Sequence, residues 1–91
     1  MAKINIQDFR RNRTESLMDR FFSSVITVNT MCDAGYRFKE VLPFQQRAAD
    51  IMHDLDEEGL LDIAEELYPC ERDTMKEYLE IYNEIANGVK V

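Results

Sequence analysis

Residues 15–32 read ESLMDRFFSSVITVNTMC, and this stretch decides the fold. Leu17, Phe21, Val25, Val28 and Cys32 recur at intervals of four, four, three and four, which is one stripe of an α-helix. Met18, Phe22 and Ile26 widen the stripe, so the spacing predicts a central helix covered on more than one side. The β-branched run Val25-Ile26-Thr27-Val28 is the one place where a strand would compete. Thr14 is placed to cap the helix, with Glu15 at its positive end, and Gly35 can take the left-handed conformation of a helix stop.

Outward from that helix the pattern stays helical. After a connection from Tyr36 to Leu42, Pro43 suits the first turn of a second helix, where its missing N–H costs nothing. Phe44, Ala48, Ile51, Met52 and Leu55 carry its apolar stripe. Gly59 then interrupts, Leu60, Ile63, Ala64 and Leu67 make a short third helix, and Pro69 stops it. A last helix runs from about Arg72 to Ala86, with Met75, Tyr78, Leu79, Tyr82 and Ile85 on its buried face and Asn87-Gly88 as its stop. Ahead of the first helix, Ile4 and Ile6 alternate weakly with polar residues and Arg10-Arg11-Asn12-Arg13 forms a basic knot. The expected architecture is therefore all-α: a bundle of about four helices over residues 15–91, preceded by a short extended basic arm over residues 1–14.

Composition narrows the class further. The 91 residues include 3 Gly and 2 Pro, and 45% are hydrophobic, too apolar and too poor in breakers for a disordered tail. No apolar run approaches the roughly 18 residues of a membrane span. Met-Ala-Lys-Ile-Asn-Ile lacks the hydrophobic region of a signal peptide, which makes the cytoplasm the expected compartment. There Cys32 and Cys70 read as free thiols and as small buried hydrophobes.

The net charge of -7 hides a division. Residues 1–47 carry eight basic and five acidic residues, whereas residues 48–91 carry three basic and thirteen acidic ones. An asymmetry this large calls for an electrostatic partner, in another molecule or in the other half of the chain. Asp54, Asp56, Glu57, Glu58, Asp62, Glu65 and Glu66 are the candidate acidic contact surface. Arg10, Arg11, Arg13, Tyr36 and Arg37 are the candidate anion-binding set. An acidic surface of this density repels a phosphate backbone, so direct nucleic-acid binding is not expected.

The stretch from Asp54 to Glu65 resembles the calcium loop of the EF-hand family. Oxygen donors stand at loop positions 1, 3, 5, 9 and 12 (Asp54, Asp56, Glu58, Asp62, Glu65), with Gly59 at the sixth. The resemblance implies calcium bound by these carboxylates. Glu58 is longer than the family's usual fifth donor and Pro69 ends the exiting helix early, so two acidic helices separated by Gly59 are the leading alternative. His53 shares a helix face with Asp50 and Glu57, where a metal or acid–base pair is conceivable, although a surface His among acids is commoner. No nucleophile elbow, phosphate-cradling glycine loop or H-E-x-x-H is present, and Ser23-Ser24 has no activating base.

The expectation is a non-catalytic, cofactor-free helical protein that binds and regulates or inhibits a partner protein bearing a basic surface. Small acidic inhibitors of phage type, which mimic nucleic acid, are analogous in size and charge. Over five residues, Tyr78-Leu79-Glu80-Ile81-Tyr82 resembles the C-terminal helix of a phage anti-sigma protein, too short a match to name a family. The alternatives are a calcium-responsive EF-hand-like protein and an oligomeric binder of a small ligand or nucleotide. Ile81, outside the centre of the last helix's stripe, leaves apolar surface that a homodimer would cover.

Overall fold

A computed structural model describes residues 5–88. The chain forms four helices, α1 (Ile6–Asp33), α2 (Phe38–Glu57), α3 (Leu61–Leu67) and α4 (Arg72–Ala86), with a 3-10 turn at Pro69–Glu71 leading into the last. The bundle is all-α, with no strand among the described residues. α1 packs along α2, α2 along α4, and the short α3 closes the end where α1 starts. At 1.5 Å per residue the 28 residues of α1 give an axis of about 42 Å, which sets the 52 Å long dimension.

The extended arm expected over residues 1–14 is helix from Ile6 onward, and a boundary after residue 14 falls inside α1; residues 1–4 lie outside the described part. Asn5, not Thr14, caps α1: its side-chain oxygen accepts from the Gln7 amide at 2.9 Å, and Asp8 sits in the first turn. Thr14 is fully buried mid-helix, where its hydroxyl donates to the Arg10 carbonyl at 2.8 Å. That bond satisfies the hydroxyl inside its own helix, an option open to Thr that needs no helix end. The β-branched run 25–28 stays helical, and Thr27 bonds back to Ser23 in the same way.

α2 begins five residues before Pro43 and carries the proline inside it. The ring withholds one amide from the Lys39 carbonyl, and Lys39 is exposed, so water can serve that acceptor. The first two helices end alike. Beyond α1, the Tyr36 amide bonds Met31 O and the Gly35 amide bonds Cys32 O; beyond α2, Leu60 bonds Leu55 O and Gly59 bonds Asp56 O. Both are paired stops built on a glycine at positive φ, Gly35 at 84° and Gly59 at 69°.

The core joins Leu17, Met18 and Phe21 of α1 to Ala48, Ala49, Met52 and Leu55 of α2 and to Met75 and Tyr78 of α4, with Leu60 and Ala64 sealing the α3 end. Three expectations shift. Ile26 is 63% exposed, because it lies on the flank of α1 away from α2. Ile85 is 39% exposed, whereas Ile81 packs against the core. Cys32 and Cys70 are free, as expected, but both are exposed.

Tyr78 meets Phe21 edge to face, with centroids 5.3 Å apart. Burial first, then the charge of Glu77, pushes its phenol above the ordinary value. The folded state therefore holds the neutral phenol, while the unfolded chain ionises near pH 10. Its stabilising contribution is complete below about pH 10 and is lost as pH rises through the higher folded value. Alkaline unfolding followed by circular dichroism should accordingly shift to higher pH in Tyr78→Phe, with neutral-pH stability little changed. Superimposable alkaline transitions would remove Tyr78 as the titrating group.

Candidate functional site

The C-terminal end of α2 is electrostatically awkward in isolation. Asp54, Asp56 and Glu57 lie in its last turn and Glu58 at its cap, next to the negative end of the helix dipole, and no basic residue stands there. The positive charge comes from α1. Arg13 grips Glu58 with two parallel bonds, Nε to Oε1 at 3.1 Å and Nη2 to Oε2 at 3.0 Å. Arg10 Nη2 donates to the Gly59 carbonyl at 2.7 Å. The arginines thus act as a cationic cap on α2, supplied from 45 or more positions away in the chain. The Arg13 hydrogen bond holds the Glu58 carboxyl below its ordinary value, against a smaller opposing effect of burial, and Glu58 holds Arg13 above its own.

The remaining acidic candidates look outward. Asp54, Asp56, Glu57, Asp62 and Glu66 are exposed and Glu65 is half-buried. Asp54 through Glu57 are still helical, so Asp54 and Asp56 are rotated by about 200° from each other and diverge instead of converging on a cation. Glu58, the third donor of the EF-hand-like pattern, is occupied by Arg13. No group of three His, Cys, Asp or Glu side chains is arranged to hold a metal among the described residues. Gly59 at the centre of the stretch serves the helix stop, with Leu60 buried beside Leu55.

The anion-binding set is divided. Arg10, Arg11 and Arg13 lie at one end of α1 and Tyr36 and Arg37 beyond the other, about 30 Å away along the axis. Arg11 pairs with Glu15 at 3.0 Å, and the Arg37 amide is taken by Glu40 at 3.3 Å. His53 stands 3.4 Å from Glu57 on α2, but its ring stacks flat on Tyr82 of α4, with centroids 4.0 Å apart and planes 8° from parallel. This stack ties α2 to α4, and its only sequence signal is an aromatic on the facing stripe.

A second feature lies on the flank of α1. Phe22, Val25 and Ile26 form one wall of an open apolar groove of about 610 Å³, and Tyr68, Pro69 and Cys70 form the other. Phe22 and Tyr68 meet edge to face across its floor, with centroids 5.1 Å apart. Glu71 stands at its rim, and burial followed by the charges of Asp19 and Glu15 raises the Tyr68 phenol above its ordinary value. Apolar character alone places Ile26 and Cys70 in the core; the five-residue step from Phe21 to Ile26 is the signal that Ile26 points elsewhere.

No helix among the described residues is long and apolar enough to cross a membrane. The chain matches no protein-family model, and no curated protein or solved structure shows significant similarity to it.

Proposed function

We propose that this protein is a non-catalytic binding module that regulates or inhibits a partner protein through its acidic second half, in the manner of a small nucleic-acid mimic. The observation that carries this reading is the run of carboxylates from Asp54 to Glu66, all exposed except the half-buried Glu65. Within it Arg13 of the first half neutralises Glu58 alone by a direct ion pair among the described residues. Charge left unpaired at this density steers a cationic partner and weakens the match with an anionic one. The partner is accordingly a protein with a basic surface, and self-association into a dimer is compatible with the exposed Ile6 and Phe9.

The test is affinity capture from the source cell's lysate by the wild-type chain and by a triple variant, Asp62→Lys, Glu65→Lys and Glu66→Lys. These residues lie on exposed or half-buried faces of α3, so helicity should be retained. Capture of a basic partner should fall steeply with added salt and vanish with the triple variant. A still-helical triple variant that holds the same partner equally well removes the acidic surface from consideration.

A further inference from the structure

The groove between α1 and the 3-10 turn is an unpartnered apolar surface set in a negative field. Ile26 is 63% exposed there, and Phe22 and Val25 are only partly covered by the core they touch. Pro69 and Cys70 on the opposite wall are exposed as well. Apolar surface grouped in this way, with a concave shape and a charged rim, marks a contact site more often than it marks scattered surface residues. Carboxylates stand around it: Glu71 lines its edge, and Asp19 and Glu15 on α1 are close enough to act on Tyr68. Arg11 also acts on Tyr68, and its pairing with Glu15 offsets both charges. That leaves Asp19 and Glu71 as the carboxylates there without an ion-pair partner among the described residues.

We infer that this groove docks an amphipathic helix of the partner protein, with apolar side chains seated between Ile26 and Cys70 and Lys or Arg residues reaching the surrounding carboxylates. The inference rests on the acidic-surface reading above and adds to it an apolar site that adjoins the Asp54–Glu66 run through Leu67. Helix-in-groove recognition supplies the geometry, because apolar anchors at i, i+3, i+4 and i+7 present one stripe while the flanking positions carry charge. The anchors contribute affinity by leaving water, and the rim charges contribute register and association rate.

The probe is a synthetic amphipathic peptide of Leu and Lys, about 14 residues long so that it can form a helix, titrated calorimetrically into the reduced protein. A scrambled Leu/Lys peptide and a Leu/Glu peptide are the controls. Saturable one-to-one binding of the amphipathic peptide alone is expected. Ile26→Glu on one wall and Cys70→Glu on the other should each weaken it by roughly tenfold or more. Both positions are exposed, so the fold should survive either change. Both changes also add negative charge, so simple charge attraction predicts tighter binding, the opposite sign. Binding that is unchanged or tightened in both variants overturns the groove and leaves the acidic surface standing. Failure of the wild-type chain to bind the peptide also overturns the groove, while the lysate capture separately decides the acidic surface. Concentration-dependent dimerisation abolished by Ile26→Glu would make a second copy the occupant and overturn the proposal.

Discussion

Phe21→Ala should remove a large share of the protein's stability. Phe21 is fully buried at the point where α1, α2 and α4 meet, with its ring against Phe22 at 5.8 Å and against Tyr78 at 5.3 Å. Truncating a buried Phe removes its transfer free energy and opens a cavity that rigid helices fill poorly, a loss of about 3–5 kcal/mol. A chain of this size has about 5–14 kcal/mol in total, at roughly 0.05–0.15 kcal/mol per residue. Thermal melts should therefore fall by about 12 °C or more, since each kcal/mol shifts a small domain by roughly 4–8 °C. Ile26→Ala, five residues along the same helix, should stay within about 0.5 kcal/mol of wild type because the side chain is exposed. Equal losses at the two positions would put Ile26 in the core beside Phe21 and overturn its placement on the open flank of α1.

That contrast also marks where local sequence stopped being informative. The stripe through Leu17, Phe21 and Val28 gives the core face of α1 directly, and Pro69 and the glycines place the helix ends because their backbone chemistry is local. α4 runs from Arg72 to Ala86, as its period indicates. Ile26 misleads because an apolar residue on a second flank looks the same whether it is covered or left open. The answer depends on how far the seven residues of α3 and the turn at Pro69–Glu71 extend along α1.

The start of α1 was hidden for a related reason. Arg10-Arg11-Asn12-Arg13 reads as a solvated arm when taken alone, because a run of like charge disfavours compact structure. Its helicity becomes favourable once Arg11 meets Glu15 one turn on and Arg13 meets Glu58 across the bundle. The charge division between the halves was legible as a demand for a partner, and part of that demand is met within the chain. The carboxylates of α3, and Asp54 and Asp56 of α2, form no ion pair among the described residues, which is why the acidic surface and not the basic knot is the candidate for binding.

Gly59 concentrates the remaining ambiguity, and its substitution should give the second large loss. In the calcium-loop reading the glycine turns the chain around a cation; in the structure it ends α2. The two differ in what flanks it. A paired helix stop has an apolar residue just after the glycine that packs against one four positions before it, and here buried Leu60 and Leu55 fill those places. At φ +69° any Cβ strains the backbone, by about 1–2 kcal/mol for an ordinary L-residue. A methyl at Gly59 would lie 3.8 Å from Arg10 Nη2, an ordinary contact, so Gly59→Ala reads the backbone strain almost alone. Gly59→Val adds a branched side chain in a region where such residues are outliers, and should lose more than Ala, while Gly59→Asn should lose least. Hydrogen exchange should quicken in the first turns of α1 in the Val variant, because the carbonyl that Arg10 grips belongs to the strained residue. Denaturant melts of the three variants without added calcium give the order directly. If all three match wild type without calcium and fall behind it only when calcium is present, Gly59 belongs to a cation loop and the helix stop is not its role.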